Sequence, residues 1–416
     1  MSLKHKMLMC FLFGGAIFGF YLTLYAAVII YIPSQTVTIP YRGAFLGLAC
    51  FTCYLFIRNR RPCYRGRLLV VLLLFWILYA VAIVIEPMEY MFQSKTTYTL
   101  LTLGGCIIPS IPFLFYFTKK ELRYGHLAIL AGACLVGLLS FALYGGASDI
   151  GRAAKGKFIG DFVTLGPLQL SYLGSVSILL CLNCLFDSEV IRMRILRYSV
   201  SALLGGLGAF QLTIGASRGA VVVVLVVFLL FVFARLRNFR DALASLVMIF
   251  GAAVISLLVI MFSDVIGSVL FERLEALLYM NESYIFGGHG IGRIFLYQAS
   301  FQQFLDRPLF GGGLVVRGAF TYSHNFIIEA FMSTGIIGGL LFLIFYVTCV
   351  VRSIMLMRYA RHLTWIAILF LHYAINVQFS SNLAGNTYFW VTSAMVLGAY
   401  EFSGIRHRNQ VPSRRS

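Results

Sequence analysis

Apolar residues in this chain run unbroken for long stretches and stop at short polar or basic punctuation, with little of the alternation a soluble helix or strand would show. A helix rises 1.5 Å per residue, so an apolar run of about 16 to 25 residues matches the hydrocarbon thickness of a bilayer. Twelve such runs are present, at approximately 8–32, 43–57, 68–85, 98–117, 125–145, 164–186, 198–214, 219–234, 242–263, 325–351, 364–380 and 386–402. The pattern predicts an all-α integral membrane protein of about twelve transmembrane helices. The longest interruption is 264–323, which divides the chain into residues 1–263, an external helical segment 264–323, a second transmembrane block 324–405 and a tail 406–416.

Within that interruption two short helices are expected. From Asp264 to Asn281, Val265, Val269, Leu270, Leu274, Leu277 and Leu278 recur at helical spacing opposite Glu272, Arg273 and Glu275, the pattern of a helix lying on a membrane surface. A second helix, Gly292–Leu305, follows the breaker Phe286-Gly287-Gly288-His289-Gly290, carries Tyr297, Phe301 and Phe304 on one flank, and stops at Arg307-Pro308. Leu309-Phe310-Gly311-Gly312-Gly313 then reads as a connector leading to Tyr322-Ser323-His324-Asn325, where water gives way to lipid.

Composition agrees with this reading. Hydrophobic residues make up 60% and charged residues 12%, too little polar surface for a soluble globule. The net charge of +18 does not point to nucleic acid, because the basic residues sit in short clusters between spans. If the spans alternate, most of the 33 Lys and Arg fall on one side, which the positive-inside rule makes cytoplasmic. Both termini are then inside, and 264–323 and His324 are outside. None of the nine Cys falls in an external loop, so no disulfide is expected, and Cys50-x-x-Cys53 and Cys181-x-x-Cys184 read as apolar packing inside spans. The basic start leads into an apolar run too long for a cleavable signal peptide.

The candidate chemistry gathers at the outer boundary. A histidine near a helix N-terminus tends to stay neutral and able to take a proton, and the same helix end attracts phosphate, so His324 combines a base with an anion site. Arg218 lies in the turn Gln211–Ala220 with almost no loop around it, where an arginine is costly unless it meets a counter-charge; snorkelling to the interface is the plainer alternative. Arg293 is framed by glycines and aromatics, whereas Arg307 and Arg317 read equally as solvated charges. The Gly-rich loop after Gly145 carries Arg152, Lys155 and Lys157 on a side that usually lacks them, either to wrap an anion or as tolerated charges. His289 reads first as a loop residue and second as a sugar contact. Glu86 and Glu89 read as a solvated loop, since Pro87 breaks any helix that would pair them. His372 reads as a satisfied intramembrane histidine, and Glu329, five residues from His324, is not placed under it on a helix. No metal site or cofactor is indicated.

Three pieces, Thr213–Ala220 with Ser217-Arg218-Gly219, Gly292-Arg293 through Phe304-Leu305-Asp306-Arg307-Pro308-Leu309-Phe310-Gly311-Gly312-Gly313, and Tyr322-Ser323-His324-Asn325 through Gly335-Ile336-Ile337-Gly338, resemble the bacterial O-antigen polymerase and O-antigen ligase superfamily. The resemblance covers mainly residues 205–345. It implies a GT-C-like membrane glycosyltransferase of the bacterial inner membrane, with a periplasmic active site and no metal, acting on glycans carried by undecaprenyl pyrophosphate. It further implies Arg218 and Arg293 as pyrophosphate ligands and His324 as the catalytic base; beside these, Tyr322, Asn325, Arg317, Arg307, Arg152, Lys155, Lys157 and His289 are candidate substrate contacts. Implied partners are the lipid-linked oligosaccharide, the bilayer and a chain-length regulator. Polymerisation of repeat units is the first expected reaction and ligation to lipid A-core the second; a lipid-linked glycan flippase or transporter is the alternative from another class.

Overall fold

The structure is a computed structural model that describes residues 3–30, 32, 34–87, 94–144, 158–159, 162–163, 165–187, 189–215, 217–235, 293–319 and 321–405. In chain order its helices are α1 (Leu3–Ile29), α2 (Ser34–Arg58), α3 (Arg67–Ile85), α4 (Lys95–Leu114) and α5 (Lys119–Tyr144). There follow α6 (Pro167–Phe186), α7 (Arg194–Gly215), α8 (Arg218–Arg235), α9 (Arg293–Asp306), α10 (Phe326–Tyr359), α11 (Thr364–Asn376) and α12 (Thr387–Phe402). Between α5 and α6, β1 (Phe158–Ile159) and β2 (Phe162–Val163) pair antiparallel.

Eight of these helices, α1 to α7 and α10, are long and apolar enough to cross a membrane. The all-α membrane class is as the hydropathy pattern implies. Helices α8, α11 and α12 coincide with three further expected spans but have only 18, 13 and 16 residues. The remaining expected span, 242–263, lies outside the described residues, as do the amphipathic stretch Asp264–Asn281 and the tail 406–416. Two boundaries differ, and at one of them α10 runs on to Tyr359, past the expected end at 351. The stretch 33–36 reads as an external turn, yet α2 begins at Ser34 and runs 25 residues, with Pro40 inside it. Two spans change pitch locally. In α1 the turn Gly15–Gly19 is π-helical and the Tyr41 hydroxyl donates to the Gly15 carbonyl at 2.6 Å, supplying a partner from outside the α1 ladder. In α4, a π-turn at Leu101–Ile107 precedes Pro109 and Pro112, which cannot donate, and the helix closes as a 3₁₀ turn.

The chain divides into two compact units. The first comprises residues 1–45, 117–279 and 354–372. Its α6 and α7 approach closely because Gly174 faces the Gly208 carbonyl with no room for a side chain, the small-residue packing that membrane helices favour. Several of its buried polar side chains bond one another across helices. Ser140 Oγ receives Gln211 Nε2 at 2.7 Å and pairs with the Tyr25 hydroxyl at 2.6 Å, and His372 Nε2 lies 2.6 Å from Ser175 Oγ. His372 is thus bonded to a neighbouring helix through Nε2.

The second unit comprises residues 46–116, 280–353 and 373–416. Its core is an aromatic stack in which Trp76 of α3, Phe342 of α10 and Phe389 and Trp390 of α12 meet, with Trp76 and Trp390 ring centroids 4.5 Å apart. Aromatic pairs in such tilted geometries contribute about 0.5–1.5 kcal/mol each beyond burial. Helix α10 is interrupted at Gly335, whose φ of 67° and ψ of −166° are not helical. The break is filled from outside the helix: Ile336 N–H donates to the Pro308 carbonyl at 2.7 Å, and Gly312 N–H to the Met332 carbonyl at 2.8 Å. The glycine connector after α9 is therefore bonded into the top of α10. All nine cysteines are free thiols.

Candidate active site

His324 stands one residue outside the cap of α10. Asn325 is the cap itself: its Oδ1 accepts the Ile328 N–H at 3.0 Å, while its Nδ2 donates to the Gln378 carbonyl at 3.2 Å. Ser323 folds over the same turn, its hydroxyl donating to the Asn325 carbonyl and accepting the Asn325 N–H. These bonds hold His324 at a φ of 59°, a left-handed conformation that few non-glycine residues adopt. Its Nδ1 is buried and has no hydrogen-bond partner among the described residues, and the Tyr322 ring packs against the imidazole with centroids 4.3 Å apart.

Helix α9 delivers Arg293 to this place. Leu296, Ser300 and Gln303 form its buried face, while Tyr297 and Phe304 are half-buried and Phe301 is exposed. Gln303 is needed inside, donating to the Val315 carbonyl and accepting the Arg317 N–H, both at 3.1 Å. Tyr297 donates its hydroxyl to the Gln378 carbonyl at 3.3 Å, the same oxygen that Asn325 uses, which ties the first turn of α9 to the cap of α10. Arg293 opens that first turn and faces His324 and Tyr322 electrostatically. Burial, and after it the Arg293 guanidinium, holds the His324 imidazole below its ordinary range. The sequence assigns this to the helix end; in the structure burial is the larger cause. Burial likewise pushes the Tyr322 phenol up, with Arg293 opposing.

Glu329 does not orient His324. Its carboxylate is buried, accepts the Leu383 N–H at 3.1 Å and receives the Tyr79 hydroxyl at 3.4 Å. Its place is to pin α10 to α3 and to the loop before α12.

Arg307 and Arg317 line a neighbouring cleft of about 320 Å³ together with Gly311, Gly312, Gly313, Ser333, Ala82 and Ile85 of α3, and Glu86 and Pro87 just after it. Glu86 is the acidic member of that lining. It is not a solvated loop residue: it is 2% exposed, and its Oε2 accepts the Leu314 N–H at 2.9 Å. Burial pushes the Glu86 carboxyl up, against the pull of the Leu314 N–H, Arg317, Lys95 and Arg307. The Tyr98 phenol interacts with both Glu86 and Tyr322 and hydrogen-bonds Asn382, so cleft and imidazole belong to one neighbourhood. Neither Glu86 nor Tyr98 is singled out by sequence as a site residue. The available signal for Glu86 was a carboxylate placed directly at the end of a 19-residue apolar helix.

Arg218 is the first residue of α8, in the first unit. The turn before it is tight as expected: Ser217 N–H donates to Ser171 Oγ at 3.0 Å, and Gly215 lies against the backbone of Pro167 and Ser171 with no space for a Cβ. Arg152, Lys155, Lys157 and His289 lie outside the described residues. Among the described residues, no cluster of three or more His, Cys, Asp or Glu is arranged to hold a metal.

Helices of this length and composition, with polar chemistry gathered at a helix cap, define a multi-pass membrane protein. Residues 200–343 match the family model described as O-antigen ligase, a stretch that contains Arg218, Arg293, Arg307, Arg317 and His324. The match falls on the region whose motifs resemble the O-antigen polymerase and ligase superfamily, and makes this stretch similar to a family of glycosyl-transferring membrane enzymes. No curated protein matches the chain.

Proposed function

We propose that the protein polymerises glycan repeat units carried by undecaprenyl pyrophosphate at the periplasmic face of the inner membrane, with inversion and without a metal. The observation that carries this reading is the half-buried His324, with its depressed basicity, facing Arg293 within the matched O-antigen ligase region. His324 takes the proton of the acceptor hydroxyl as that oxygen attacks the anomeric carbon; the new C–O bond forms as the bond to the lipid pyrophosphate breaks. The departing pyrophosphate keeps the electron pair, and Arg293 binds its oxygens as that charge develops. Opposite-face attack gives inversion. Tyr322 and Asn325 shape the acceptor side, and the basic residues Arg152, Lys155 and Lys157 would serve a second lipid pyrophosphate.

A second reading, ligation of the glycan to lipid A-core, is favoured by the description of the matched family. Purified protein reconstituted with undecaprenyl-pyrophosphate repeat units and no lipid A-core separates the two. Polymer from that mixture is the result expected; product only on adding lipid A-core establishes the ligase, and neither product rejects both. His324→Ala abolishes transfer in either case.

A further inference from the structure

The carboxylate at the end of α3 has no place in that reaction, yet it is among the most confined polar groups of its unit. Glu86 satisfies one oxygen with the Leu314 N–H, while Oε1 is buried without a hydrogen-bond partner among the described residues. A lone buried carboxylate oxygen is costly unless something donates to it. The opposite wall is peptide backbone. Gly313, at a φ of 140°, brings its Cα so close that a Cβ would meet both Glu86 oxygens. Arg307 and Arg317 complete the rim with guanidinium donors, and Arg317 is braced by its own bond to the Gly312 carbonyl at 2.8 Å. The connector is held to α10, since Gly312 and Gly313 both donate to the Met332 carbonyl.

A cleft of about 320 Å³ suits one sugar ring rather than a lipid or a peptide. Its polar groups offer an acceptor at one side and donors at the other. A free anion would meet the Glu86 carboxylate; a ring of hydroxyls would donate to it and accept from the arginines. We infer that the Glu86–Arg307–Arg317 cleft binds one hydroxyl-rich pyranose of the glycan beside His324, with Glu86 as its hydrogen-bond acceptor. This rests on the glycosyl-transfer reading and names a subsite for it.

The test is Glu86→Gln, which keeps an oxygen for Leu314 N–H and turns the other position into a donor. With the undecaprenyl-pyrophosphate-linked glycan extracted from the source cell as substrate, the variant should melt as the wild type does. Its KM should rise by about tenfold or more while kcat stays within about threefold, the scale of one hydrogen bond to a charged group. An unchanged KM overturns the subsite, even if His324→Ala abolishes transfer and so upholds the reaction. If the wild type transfers nothing, the reaction falls, and the subsite is judged by binding alone. The glycan released from that donor by mild acid should then stabilise the wild type, and not Glu86→Gln, against thermal unfolding; equal stabilisation overturns it. Should Glu86→Gln fail to fold, the exposed Arg317→Ala carries the same measurements.

Discussion

An imidazole with one ring nitrogen buried and unpartnered, and with a guanidinium nearby, resists protonation, and the sign of that resistance can be measured. Neutral His324 is the active form in the proposed reaction, and its pKa is depressed. Activity should therefore persist as pH falls through about 6.5, the ordinary imidazole value, and fail only below it. Arg293→Ala removes one of the two depressing causes. The acid limb of kcat/KM should then move to higher pH while staying below the ordinary value, because burial remains; a limb that does not move would mean that Arg293 acts elsewhere. His324 and Arg293 are legible in sequence because each is a charged or titratable residue beside a glycine or cap signal. Glu86 is not, since its burial depends on Leu314, far along the chain, closing over it. Its sequence neighbourhood, a proline and a second carboxylate, speaks only for a loop.

Helix α10 shows how a glycine motif divides its work. Read as hydropathy, 325–351 is one continuous apolar helix, and the sequence offers no reason to stop at Gly335. The interruption comes from tertiary bonding: the Pro308 carbonyl takes the Ile336 N–H, and the backbone at Leu309 approaches so closely that a side chain at 335 would collide with it. Gly335→Ala should destabilise the protein by at least about 1–3 kcal/mol, the cost of a left-handed non-glycine residue before any clash is added, read by thermal unfolding in detergent. A variant that melts with the wild type would show that the break is not required. Helix α9 was legible in extent, ending at Asp306 before Arg307-Pro308, but not in facing. Hydrophobicity alone gives no reason to bury Gln303, which is drawn inside by the connector it bonds.

At the scale of the whole chain, hydropathy is a strong signal because backbone groups in lipid must be bonded within their own helix, which leaves few alternatives to a long apolar run. Eight helices meet that standard, and three shorter ones fall where spans are expected. Sidedness is a charge argument and can be tested as such. Single cysteines placed in a cysteine-free background should be labelled by a membrane-impermeant maleimide from the periplasm at Phe310, which is exposed, and not at Arg60, between α2 and α3. The reverse pattern would place the proposed site in the cytoplasm, where lipid-linked repeat units awaiting export have not yet crossed.

The connector Gly311–Gly313 has a consequence for diversity. Where a recognition surface is made of side chains, evolution retunes it one residue at a time; this wall is bare main chain wedged against Glu86, Gln303 and Ser333, and offers no such handle. A relative that handles a different sugar would have to vary the facing rim, at Ala82, Ile85 and Pro87, and leave the glycines alone.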